Sequence, residues 1–149
     1  MNPFDPRQAL LARHAQHVVL IHFPIALFLA GAIFDALARW HNRAALATAA
    51  YYNFFAAALS TPAAIATGLL AWQFQLEGRK LKGILLQHLA LAVAATLLIW
   101  LVWYLYFRAR RSRQEIPPLY YVCVEIFAVI VVTLAGHLGG FLSGINGPS

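Results

Sequence analysis

Four of the six histidines in this 149-residue chain, His17, His22, His88 and His137, fall within long apolar runs. An ionisable side chain inside a bilayer is costly, and one that is retained usually faces a bundle interior or a polar cavity. Neutral imidazole ligates iron, copper and zinc. Within the spans no sulfur or carboxylate ligand accompanies these four at their end: Met1 is the only methionine, and Cys123, Asp35 and Glu125 lie toward the other end of the apolar runs. A closed zinc site or a copper relay more often mixes in such ligands. Haem b needs two opposed imidazoles, a slot between small residues and cations for its propionates, so one or two b-type haems are the best chemical fit.

The elements that must position these residues are membrane helices. The chain is 62% hydrophobic and 11% charged, with a mean hydropathy of +0.69, where a soluble domain carries about a quarter charged residues. That excludes a disordered chain, a nucleic-acid-binding arm and almost every ordinary soluble enzyme. Four spans are expected, at about residues 18–38, 51–72, 83–107 and 119–142, each long enough to cross about 30 Å of hydrocarbon. The expected fold is an all-α, up-down four-helix membrane bundle in one domain. Asp5-Pro6 starts a short N-terminal interfacial helix, with Asp5 as cap and Pro6 at the first helical position. Pro24 deprives the Leu20 carbonyl of its donor and predicts a kink or a true start there. The N-terminus lacks the pattern of a cleaved signal peptide, so the first run is read as retained. No internal repeat is apparent.

Alternating spans bring the starts of spans one and three, and the ends of spans two and four, to one face, here face A. His17, His22, His88 and His137 then share a depth, with His14 just outside them and His41 on the opposite face B. His17 and His22 are five residues apart, about 140° around a helix, so they serve different sites or different partners across the bundle. The slot is expected from Ala56–Ala58, Ala63, Ala64, Ala66 and Gly68 on span two with Gly136, Gly139 and Gly140 on span four. Arg13, Arg79, Lys80 and Lys82 lie on face A to meet propionates. The bland alternative is that the small residues serve close helix packing and the histidines serve as hydrogen bonders.

Asp35 and Glu125 occupy the face B half, as a proton route or part of a quinone pocket, or as hydrogen bonders that reach a neighbouring helix, Arg39 or Arg108. Trp40, Trp100, Trp103, Tyr104, Tyr106, Tyr120 and Tyr121 read as interfacial belt residues. The net charge of +6 reports topology and contact with anionic lipid rather than nucleic acid. Face A carries five bases and face B six, so the positive-inside rule places face B in the cytoplasm and both termini outside. The lone Cys123 permits no internal disulfide.

The stretch His17-Val18-Val19-Leu20-Ile21-His22-Phe23-Pro24-Ile25-Ala26-Leu27, followed by Phe34-Asp35, resembles the opening signature of a widespread family of small four-helix bacterial membrane proteins of unassigned function. Ala66-Thr67-Gly68-Leu69-Leu70-Ala71-Trp72 looks like its second-span motif, with Ala71 where an acid is usual, and Val18 stands where a proline is usual. His88 and Gly136-His137-Leu138-Gly139-Gly140 are similar to its later motifs. Fusion of some members to c-type cytochrome domains implies a redox setting in the bacterial inner membrane. The expected function is therefore electron transfer through haem ligated by His17, His22, His88 and His137, linking quinol to a cytochrome c partner or a larger respiratory complex, with a homo-oligomer also open. The rivals are a transition-metal or proton-coupled transporter using the same histidines and a cofactor-free accessory subunit.

Overall fold

The computed structural model describes residues 13–75 and 80–142, and among these it contains four helices and no strand. These are α1 (Arg13–His41), α2 (Ala44–Gln75), α3 (Ile84–Arg111) and α4 (Tyr120–Leu142). All four are long and apolar enough to cross a membrane. The interfacial helix expected from Asp5-Pro6 lies outside the described residues. α1 starts at Arg13 and runs through Pro24, so that proline is not its beginning.

α1 packs on α2 and α3 on α4, while α2–α3 and α1–α4 contacts close the bundle. The α1–α2 turn is tight. Asn42 takes a positive φ of 49°, which an Asn tolerates better than most residues, and Arg43 N–H donates back to the Ala38 carbonyl at 3.0 Å. This six-to-one bond caps the last turn in the manner of a Schellman motif. α3 ends the same way: Arg113 has φ 56° and Gln114 N–H donates to the Ala109 carbonyl at 3.1 Å.

The two endings are related by a 71-residue offset, the separation of His17 and His88. The same offset carries the buried stripe of α1 (Pro24, Phe28, Gly31, Asp35, Ala38) onto that of α3 (Ala95, Ile99, Val102, Tyr106, Ala109). It also carries buried Phe54, Ala57 and Thr61 of α2 onto buried Glu125, Ala128 and Val132 of α4. The molecule is thus two helical hairpins in parallel repeat. The sequence hides this, because identity survives at few places, among them Gln16-His17 with Gln87-His88, Ala38-Arg39 with Ala109-Arg110, and Gly68 with Gly139.

Close packing rather than hydrophobic drive holds helices together in lipid, and the first hairpin shows how. A Cβ at Gly31 would sit 2.6 Å from the Phe54 ring, so only glycine lets α2 approach. Phe54 in turn lies tilted at 5.2 Å from Phe28 and edge-on at 4.8 Å from Tyr106. Ala57 and Ala58 are wholly buried beside this aromatic cluster. They are packing residues and do not form the haem slot expected of them; Ala63 and Ala66 are exposed.

Pro62 lies inside α2 and cannot donate to the Ala58 carbonyl. The Thr61 hydroxyl does so instead at 2.7 Å, and Trp100 Nε1 of α3 donates to that hydroxyl at 3.0 Å. One hydroxyl thereby repairs the proline gap and joins the hairpins. Trp100 is consequently a mid-helix tie, not a belt residue, and Tyr106, 1% exposed, is a core residue. Thr61→Val should leave the carbonyl and the indole unpaired and lower stability in detergent by about 1–3 kcal/mol, with Thr61→Ser restoring most of it. Equal thermal unfolding of the valine variant would contradict this role.

Candidate functional site

The four face A histidines separate into two classes. His17 lies in register with Pro24, Gly31 and Ala38, each seven residues on, so it extends the inner stripe of α1; His88 extends that of α3. His22 is exposed and its Nδ1 bonds the Val18 carbonyl of its own helix. His137 is exposed and sits edge-on to Phe141, its ring centroid 5.0 Å away. Among the described residues no three His, Cys, Asp or Glu side chains form a group able to hold a metal ion. Equal depth did not mean convergence, because the helical angle turns His22 and His137 away.

The inner pair are equivalent in more than position. His17 Nδ1 lies 3.1 Å from Thr67 Oγ1 of α2, and His88 Nδ1 lies 3.1 Å from the Ala135 carbonyl of α4. A carbonyl only accepts, so His88 carries its proton on Nδ1. The Thr67 hydroxyl also lies within donating reach of the Ala63 and Ala64 carbonyls, at 2.9 and 3.1 Å, and its single proton serves one acceptor at a time. His88 is therefore the Nδ1–H tautomer whose Nε2 carries the lone pair, the form in which a second-group hydrogen bond orients a metal-ligating imidazole, and His17 is held through the same ring nitrogen. Each ring also rests on a glycine: a Cβ at Gly68 would lie 3.0 Å from His17 Cε1, and one at Gly139 would lie 3.1 Å from His88 Cε1. At the same end, Lys80 and Lys82 are exposed before α3. Arg13 is the first residue of α1, and Arg79 lies outside the described residues.

A second polar cluster occupies the face B half. Asp35, 1% exposed, is held by Arg39 one turn on at 2.5 Å, and Arg39 Nη1 also donates to the Pro117 carbonyl ahead of α4 at 2.9 Å. Tyr106 Oη donates to Glu125 Oε2 at 2.6 Å. Asp35 and Tyr106 are the same position in the two hairpins, so one polar residue from each meets in the middle of the bundle. Arg110, the repeat partner of Arg39, donates to Thr48 Oγ1 at 3.1 Å and lies over the Tyr51 ring at 4.7 Å. Each arginine thus runs from the end of an odd helix to the start of an even helix of the other hairpin. Sequence reading assigned Tyr106 to the belt and missed its bond to Glu125. The signal was the seven-residue stripe shared by Gly31, Ala38, Val102 and Ala109, which brackets Asp35 and Tyr106.

Removing one partner of a buried ion pair leaves an uncompensated charge. Arg39→Met should therefore destabilise the protein by about 3–5 kcal/mol, while adding Asp35→Asn should recover most of that loss. Chemical or thermal unfolding of the single and double variants measures it, and a double variant no more stable than Arg39→Met alone would refute the pairing as the cause.

Comparison with curated proteins finds no match, and neither does comparison with solved structures. A family model described as "Predicted membrane protein (DUF2231)" matches residues 13–146, which takes in all four helices and both polar clusters. The chain therefore belongs to the DUF2231 family of membrane proteins.

Proposed function

We propose that this chain is a membrane electron-transfer subunit carrying a b-type haem near face A, with His17 and His88 as the residues that would hold it. The observation that carries the reading is the equivalent placement of two imidazoles from separate hairpins, each held through Nδ1 at the same end of the inner stripe. Glycines under both rings bring the backbone close, and Lys80 and Lys82 at the same end suit propionates. Haem would supply one-electron chemistry, while the protein orients the rings, excludes water and neutralises the propionates. The resemblance in the first and last helices implies a c-type cytochrome or a larger respiratory complex as partner. His22 and His137 take no part in ligation here.

The hydrogen bonds of His17 and His88 also favour a second reading, in which the two rings are only interhelical ties of a cofactor-free accessory subunit. Absorption spectra of the detergent-purified protein from haem-replete cells, oxidised and then dithionite-reduced, separate the two. The haem reading expects a Soret band with sharp reduced α and β bands. His17→Ala and His88→Ala should abolish them, and His22→Ala and His137→Ala should leave them in place. A colourless preparation, or equal loss in all four variants, would overturn it.

A further inference from the structure

Repetition of the hairpin lets each surface of the bundle be compared with its counterpart, and one pair of surfaces differs in volume. Between α2 and α3 the groove is filled by rings: Phe55 lies 5.7 Å from Trp103, and Trp103 lies 5.7 Å from Phe107. Trp103 Nε1 is buried with no hydrogen-bond partner, so that indole is there for its volume. The 71-residue offset places Ala32, Ala36 and Ile126 at the corresponding positions between α1 and α4. There the structure has a cavity of about 330 Å³, within the range of about 300–1,000 Å³ typical of small-molecule sites. Where one half holds an indole and a phenyl ring, the other holds two methyl groups and a space.

The floor and rim of that space set the chemistry of its occupant. Asp35, Arg39 and Glu125 line it together with Ala32 and Ala36. Asp35 is already neutralised by Arg39, whereas the one bond from Tyr106 to Glu125 Oε2 leaves that carboxyl with further acceptor capacity. Leu119, Ile126 and Ile130 on the α4 side are more than half exposed, and on a membrane span that exposure is to lipid. Buried ionisable groups at the interface of two repeats mark a functional site more often than a structural one.

We infer that the α1–α4 groove binds a bilayer-dissolved hydroquinone. Its ring takes the volume that Trp103 and Phe107 take on the other side, and a hydroxyl donates to a carboxyl oxygen of Glu125. A lipid acyl chain has no donor for that acceptor. The inference deepens the electron-transfer reading, since it supplies a lipid-soluble donor, but binding at the groove requires no haem.

Photolabelling in lipid nanodiscs with an azido-substituted, decyl-tailed benzoquinone, followed by peptide mapping and competition with unlabelled decyl-benzoquinol, tests the assignment. Labelling is expected on α1 and α4, and the benzoquinol should suppress it. Ala32→Trp, which installs the indole the other hairpin carries, should weaken competition at least about tenfold, equivalent to about 1.4 kcal/mol. Glu125→Gln, which keeps the shape and alters the acceptor, should weaken it by a similar factor while retaining any haem bands. Where Ala32→Trp fails to fold, Glu125→Gln decides alone. Labelling on α2–α3, competition by phosphatidylglycerol instead of benzoquinol, or unchanged affinity in the folded variants would overturn the inference. Failure of the haem reading shows separately, as lost spectra with labelling intact.

Discussion

No water completes a hydrogen bond in the middle of a bilayer, so a polar side chain there is costly unless it finds its partner on the protein. This constraint organises the molecule. His17 is tied to Thr67, His88 to Ala135, Trp100 to Thr61, Tyr106 to Glu125 and Arg39 to Asp35. Four of those five ties run between helices, and they fix depth and rotation where apolar contact alone would let helices slide. Proline is admitted into α2 because a neighbouring hydroxyl satisfies the carbonyl it strands. Glycine is required where a ring or a helix must come within contact of backbone, as Gly31 does for Phe54.

A repeated hairpin explains why polar groups fall into layers. Each element places its histidine at the face A end of the inner stripe, a buried polar residue near the face B end, and an arginine just beyond it. The halves then diverge at the grooves between them. One groove is closed with indole and phenyl rings, and the other keeps two alanines and both carboxylates at hand. Such asymmetry within a repeat is an economical way to build one site from two similar parts, since the closed side supplies rigidity and the open side supplies access.

Much of the fold was legible in composition and hydropathy: four spans, their order and their alternation. Helical phase was less legible. The hydropathy patterns of α2 and α3 are apolar nearly all round, as lipid-facing helices are, so amphipathicity did not reveal which of their faces turned inward. Tyr106 and Trp100 of α3 therefore read as headgroup-belt residues although they bond within the bundle, and position along a span says nothing of the way His22 and His137 face. The alanines of α2 were ambiguous for the same reason, because a small residue serves close packing and cofactor space equally until its neighbours are known. Asp35 was readable from Arg39 one turn away, whereas Glu125 needed Tyr106 from another helix. The repeat is hard to see in the sequence because most positions related by the offset carry different residues, and several of the identities are Leu or Ala, which recur throughout an apolar chain.

The account stands on α1 and α3 presenting equivalent faces to a common interior. Nitroxide labels introduced singly across residues 17–39 and 88–110, in a Cys123→Ser background, give the oxygen accessibility of each position in lipid vesicles. The account predicts two profiles that superimpose when shifted by the separation of His17 and His88, with minima at Phe28, Asp35, Ile99 and Tyr106 and with His22 on a maximum. Profiles whose minima fall out of register, or a minimum at His22, would contradict it.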